Sequence, residues 1–442
     1  MKYAIVTFGC RVNQADSLAL DEELLARGGE PASPELADVV VVNTCSVTAT
    51  ADQGARQTIR RIARLNPSAR VIATGCYATR RAEEVRALPG VVRIVGNTEK
   101  ERLAELVGAE AGLTTAERFA EGDGACGASI RPGVGGRTAY TLRVQTGCEE
   151  HCAYCIIPST RGVSRSVPLA HVLAHIARIE AAGFREIALT GVHLGAYGRD
   201  LTPASSLAEL LQRAAGRHGG VMLRVSSLEP MDCPPELVDL AADGAVAPHF
   251  HLPLQHASDR VLARMRRPYT RAEYDGLVSR IRLRLPDASI GSDIIIGFPG
   301  ETDSDFETML SYLADSPLTH LHVFPYSDRP GTAAAAMSEK VDPVTVKARA
   351  RLVREAGHAL TERFRAAQVG AVRPGLTIED GSLVVTDNYL KVRVAPGLPR
   401  NERVRVRIVS AGEPMRGEVV SPRSCRSSPP VSVRANGVPP PR

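Results

Sequence analysis

Two periods of apolar and polar positions alternate along most of this chain. Over its first hundred residues, short apolar or β-branched runs at 3–7, 39–42, 71–74 and 91–95 are separated by helical periodicity near 15–25 and 52–65 and by one short helix. Strands alternating with helices predict a parallel α/β domain. Residues 109–137 are rich in Ala and Gly, carry a Gly-Val-Gly-Gly run and hold neither period, which predicts a linker. From Tyr140 the alternation resumes in longer units, with strands near 142–145, 186–189, 222–226, 249–252, 289–296 and 320–324. Six strand–helix units predict an open, partial (β/α)6 barrel, because a closed barrel of this kind has eight. Helical periodicity at 343–367 then gives way to β-type segments at 371–378, 383–386, 390–394 and 404–409, a small β-barrel. The Pro-, Ser- and Arg-rich tail predicts disorder. The expected organisation is α/β throughout: 1–110, linker 111–137, 138–366, a β-barrel module 367–420, and tail 421–442.

Composition narrows the setting. The 442 residues are 44% hydrophobic and 23% charged, values of a globular protein with several cores. No apolar stretch reaches the ~18 residues of a membrane span, and the N-terminus lacks the pattern of a signal peptide. A cytoplasmic, reducing compartment is expected, where the nine cysteines serve as metal ligands or free thiols. The net charge of +5 rests mostly on arginine. That residue suits phosphate contact, although genomic base composition also inflates Arg and Ala together.

The sharpest chemical signal is Cys148-Glu-Glu-His-Cys152-Ala-Tyr-Cys155. Structural zinc commonly takes two Cys-x2-Cys pairs, and no second pair exists here. Three thiolates on a four-iron cluster leave one iron open, as catalysis requires. This loop resembles the radical S-adenosylmethionine superfamily, with Tyr154 as the aromatic before the last cysteine. The resemblance implies that Cys148, Cys152 and Cys155 hold a cluster whose open iron chelates S-adenosylmethionine.

A second constellation is dispersed: Cys10 in Thr-Phe-Gly-Cys, Cys45 in Asn-Thr-Cys and Cys76 in Thr-Gly-Cys. Each lies just past the C-terminal end of an expected strand, the edge where parallel sheets gather ligands. A single cysteine there is more often plain packing; three at equivalent positions point to convergence. These residues, together with Gln145-Thr-Gly-Cys148, Ile157-Pro-Ser-Thr-Arg161-Gly162, Leu189-Thr-Gly191-Val-His-Leu-Gly195, Ser226-Ser-Leu-Glu229-Pro230 and Asp293-Ile-Ile-Ile-Gly297-Phe-Pro-Gly-Glu301, resemble the methylthiotransferase family from Lys2 to about Val420. The resemblance implies an auxiliary four-iron cluster on Cys10, Cys45 and Cys76, a radical domain, and an RNA-binding TRAM module, somewhat shorter here than in relatives. Cys10-Arg-Val-Asn-Gln14 and Gly191-Val-His-Leu look like the branch acting on N6-threonylcarbamoyladenosine at position 37 of tRNA.

The implied reaction adds a methylthio group to C2 of that adenine. It uses two [4Fe-4S] clusters and S-adenosyl-L-methionine, with tRNA as partner, an electron donor such as flavodoxin or ferredoxin, and a sulfur donor. Thr190, Gly191, Ser226, Gln255, Ile295 and Gly297 match positions that cradle S-adenosylmethionine in relatives; the glycines also suit plain turns. His193, His251 and His256 remain unassigned, and Cys126, Cys233 and Cys425 are expected to be free thiols. Lys391 and Arg393, and Arg403, Arg405 and Arg407, alternate along β-segments and so share a face, either phosphate-binding or simply solvated. Competing readings are a methylthiotransferase acting on isopentenyladenosine-37 or a ribosomal protein side chain, and a non-catalytic iron–sulfur RNA-binding protein.

Overall fold

Val39, Val40, Val41 and Val42 are fully buried, as a strand covered by helices on both faces requires. In the computed structural model, which describes residues 1–110, 132, 138–217 and 220–420, this run lies in β3 (Val39–Thr44) at the centre of a five-stranded parallel sheet. The others are β1 (Lys2–Thr7), β2 (Glu30–Pro31), β4 (Arg70–Gly75) and β5 (Val91–Val95), in the order β2-β1-β3-β4-β5. The expected tail, nearly all of the expected linker, Cys126 and Cys425 lie outside the described residues.

Helices α1 (Arg11–Ala26), α2 (Ala49–Leu65), α3 (Cys76–Arg80), α4 (Ala82–Arg86) and α5 (Leu103–Glu110) connect or flank these strands. Helix α1 starts four residues before the expected position, with Cys10 as its N-cap. Its first turn is polar because Asn13 and Asp16 bond across to other segments, which hides the helical period there. Helix α2 begins as its sequence suggests, with the Thr48 side chain accepting from the Ala51 N–H.

The central region supplies six parallel strands: β6 (Tyr140–Arg143), β9 (Glu186–Thr190), β10 (Met222–Val225), β11 (His249–His251), β12 (Ser289–Ile296) and β13 (His320–Pro325). Between the first two lie the short antiparallel pair β7 (Gln145–Thr146) and β8 (Arg165–Ser166) and helix α6 (Ile157–Arg161). The strands run β6-β9-β10 and β11-β12-β13, joined through isolated bridges Leu223–Val246 and Ser227–His251. The barrel is therefore partial, as the six-unit count predicts. Ile290, Ile294 and Ile296 of β12 enter the core beneath the surrounding helices, so the alternate residues of β12 face the lumen.

The C-terminal module is a closed barrel of β14 (Val372–Ile378), β15 (Leu383–Thr386), β16 (Lys391–Arg393), β17 (Arg403–Ser410) and β18 (Met415–Val419). The last strand was absent from the sequence expectation. A fully buried arginine ties this module to the central barrel. Arg224 of β10 bonds both Glu186 oxygens at 3.0 Å and donates to the carbonyls of Asp387 and Thr386 at 2.8 and 3.3 Å.

Candidate active site

Cys148, Cys152 and Cys155 share one loop, and backbone constraints shape it. Gly147 sits at φ +77°, and a Cβ on it would fall 1.8 Å from the Val163 carbonyl, so only glycine fits. The Ala153 N–H donates to the Met265 carbonyl at 2.9 Å, and Tyr154 packs edge-on against Phe298. Donors surround the sulfurs. Arg267 Nη1 lies 3.1 Å from Cys152 Sγ, the Ile157 N–H 3.4 Å from Cys155 Sγ, and His193 Nδ1 3.7 Å from Cys148 Sγ.

The dispersed cysteines also converge. Cys10, Cys45 and Cys76 follow β1, β3 and β4, three neighbouring strands of one parallel sheet. Gly9, at φ +86°, brings its backbone so close to Cys45 that a Cβ would meet that side chain at 2.4 Å. Asn97 Nδ2 stands 3.7 Å from Cys76 Sγ and also donates to the Thr160 carbonyl, in the segment that follows the first triad. Burial pushes the Cys45 thiol up to about 11, with Cys10 and Cys76 adding to the rise, and pushes Cys155 up to about 12. Loading either triad with metal therefore displaces protons.

The ligand types and their donors bear on the kind of metal. Among the described residues, the one set of three His, Cys, Asp or Glu ligand atoms all within 4.8 Å of one another is His251, Asp293 and His322. Sets of three thiols with N–H donors beside their sulfurs suit a multi-iron cluster, whose thiolates such donors stabilise.

Comparison with known proteins agrees with this chemistry. Residues 2–96 match a family described as uncharacterized protein family UPF0004, and residues 142–313 the radical SAM superfamily. The chain is 37% identical to the threonylcarbamoyladenosine tRNA methylthiotransferase of Aquifex aeolicus, over 89% of this chain and 96% of the relative. The enzyme of that name from Bacillus subtilis is 34% identical, over 93% and 94%. The chain belongs to the radical S-adenosylmethionine methylthiotransferase family. The tRNA-2-methylthio-N(6)-dimethylallyladenosine synthase of Sphingopyxis alaskensis is 34% identical over 93% of this chain and 95% of its own. The fold is also that of the radical S-adenosylmethionine methyltransferase TsrM from Kitasatospora setae, with TM-score 0.54 and 16% identity over 76% of each chain.

A radical S-adenosylmethionine methylthiotransferase uses a [4Fe-4S] cluster and S-adenosylmethionine. Of the positions expected to cradle that cofactor, Thr190 and Ser226 touch, with the Ser226 hydroxyl donating to Thr190 Oγ1 at 3.2 Å. Gly191 packs against Gln145. Gln255 adopts φ +66° and bridges Ile294, its N–H donating to the Asp293 carbonyl and its carbonyl accepting from Ile295. Ile295 packs with the Tyr154 and Phe298 cluster. Gly297 is needed for its φ of +77° and because a Cβ would strike Val346, in the helix Pro343–Ala367.

Several residues near the sulfurs went unassigned at the sequence level. His193 bonds Asp232 at 2.6 Å; burial opposes its charge, yet Asp232 and Cys148 raise its pKa to about 10. Asp232 follows His193 by 39 residues, so no local pattern announces the pair. Arg267 pairs with Glu229 beside Cys152. Arg161 closes α6 and bonds Asn13 Oδ1 at 2.6 Å and Asp16 at 3.4 Å, bridging the segments that carry the two triads. Its position inside the Ile157-Pro-Ser-Thr-Arg161-Gly162 motif was the available signal. Cys233 is buried, in keeping with a free thiol.

On the small barrel, Lys391, Arg393, Arg405 and Arg407 point outward while Val392, Val404 and Val406 fill the core. Arg403 shares that outer face and also donates to the Arg185 carbonyl at 3.2 Å, a contact that ties the module to the central barrel.

Proposed function

We propose that this chain adds a methylthio group to C2 of N6-threonylcarbamoyladenosine at position 37 of tRNA. The observation that carries the reading is the pair of cysteine triads, each at the C-terminal edge of parallel strands and bridged by Arg161. Cys148, Cys152 and Cys155 hold the cluster that binds S-adenosylmethionine, and Cys10, Cys45 and Cys76 hold a second [4Fe-4S] cluster. When bound, these groups supply reductive cleavage of S-adenosylmethionine, hydrogen abstraction from C2 and the methylthio sulfur. The chain holds and orients them. Arg267 and the Ile157 N–H stabilise thiolate charge at the first triad, and Asn97 does so at the second. His193, held by Asp232, lies with Nδ1 3.7 Å from Cys148 Sγ and orients that side of the loop.

Thr190, Gly191, Ser226, Gln255, Ile295 and Gly297 line the S-adenosylmethionine site in this reading, and Lys391, Arg393, Arg403, Arg405 and Arg407 meet tRNA phosphates. Residues 1–110, 138–366 and 367–420 are its three working parts. The setting is the cytoplasm, with an external electron donor and sulfur donor; no helix among the described residues is long and apolar enough to cross a membrane. The competing substrate is isopentenyladenosine, because a dimethylallyladenosine synthase stands at 34% identity. Anaerobically reconstituted protein given S-adenosylmethionine, a reductant and either modified tRNA separates the two by nucleoside mass spectrometry. Conversion of the threonylcarbamoyl tRNA is expected; conversion of the isopentenyl tRNA alone overturns the substrate assignment.

A further inference from the structure

The lumen of the partial barrel carries an unusual set of side chains. His249 and His251 of β11, Asp293 of β12, and His320 and His322 of β13 share its face, with ring centroids of successive histidines 5.1 to 6.4 Å apart. Asp293 Oδ1 lies 3.0 Å from His251 Nε2 and 3.1 Å from His322 Nδ1, so this carboxylate is internally matched. The small barrel adds Tyr389, whose ring lies 4.5 Å from that of His249 and beneath the fully paired Arg224 guanidinium at 4.9 Å. Tyr389 holds φ +68°, a conformation an aromatic residue rarely adopts, and remains 40% exposed.

Arg11 completes the group. It is the residue after Cys10, and its Nη2 donates to the Tyr389 hydroxyl at 2.8 Å with the guanidinium 5.6 Å over the ring. Among the described residues Arg11 forms no ion pair with a carboxylate, unlike Arg224 and Arg267. Among the described residues one of its five N–H donors is occupied, and the Tyr389 O–H has no acceptor. A planar fork with open donors is built for a carboxylate.

We propose that Arg11 and the Tyr389 hydroxyl form the subsite that binds the carboxylate of the substrate's N6 threonylcarbamoyl group. The assignment rests on the substrate reading above and deepens it. C2 and C6 both flank N1 of adenine, so a group on N6 hangs from the same edge as the reacting carbon. A carboxylate held by the residue after Cys10 therefore turns that edge toward the second triad. A neutral isopentenyl group would leave Arg11 without an anionic partner, so the same contact selects against it.

The test is binding of reconstituted holoenzyme to three anticodon stem-loops. One carries N6-threonylcarbamoyladenosine, one its threonyl carboxamide analogue, and one unmodified adenosine. Wild-type protein is expected to prefer the carboxylate over the carboxamide by about tenfold or more. Arg11→Gln is expected to bring that ratio near one, and Tyr389→Phe to lower it severalfold. Because Arg11 adjoins Cys10, iron content is measured alongside; a loss of iron in Arg11→Gln transfers the decision to Tyr389→Phe, which lies on another module. A wild-type ratio near one, or a ratio that survives both variants, overturns the subsite. Wild-type protein that methylthiolates only isopentenyl tRNA instead overturns the substrate reading.

Discussion

Asp16 lies almost fully buried among Lys100, Arg143 and Arg161, at 2.7, 2.9 and 3.4 Å. Burial alone would raise its pKa, but the three cations hold the carboxyl down at about 2. The folded value lies below the ordinary 3.8, so the stabilisation is complete above that pH and is lost as pH falls through about 2. Asp16→Asn is expected to cost about 2 kcal/mol at pH 7, and the gap to wild type should close near pH 2. Urea unfolding midpoints measure both, and equal midpoints at pH 7 would show that the network has no net value. None of this was legible in the sequence, since Asp16 and Lys100 stand 84 residues apart. The Cys148 loop was legible because its ligands are close in sequence. Cys10, Cys45 and Cys76 became legible through strand ends, whereas the contacts of Arg11 with Tyr389, 378 residues on, required the fold.

Among the elements, the long β-branched runs and the helix Pro343–Ala367 were plain from periodicity, and the short strands β2, β8 and β18 were not. Strand β2 has two residues, too few to show any period. Strand β18 reads Met-Arg-Gly-Glu-Val, and of its two inward positions Met415 fills the core while the second is a glycine, because a Cβ at Gly417 would press on Val406 and Val392 at 2.5 and 2.7 Å. Its core-facing signal is thus reduced to one residue by the packing that closes the barrel. Closure gives the strand faces their meaning, with Arg405 and Arg407 on the outside of β17. Replacing both with Glu is expected to weaken tRNA binding and to reduce the slope of log affinity against log salt by about 1.5 to 2. Reductive cleavage of S-adenosylmethionine should be unaffected. An unchanged salt slope would mark this face as merely solvated.

At the scale of the molecule, Arg161 and Asn97 connect the sheet of Cys10, Cys45 and Cys76 to the segment that follows the Cys148 loop. Arg224 and Tyr389 join the small barrel to the lumen. The order of the three parts was readable from alternating periods; their mutual docking rests on pairs far apart in sequence. The central claim is that the two triads hold two clusters with separate tasks, and Cys10→Ala tests it most directly. Iron content, S-adenosylmethionine cleavage and tRNA nucleosides are measured on the same anaerobic preparations. The account predicts about eight irons in the wild type and about four in the variant, which should still cleave S-adenosylmethionine but yield no methylthio nucleoside. A variant that keeps all its iron, or that loses half and still makes the product, would contradict it.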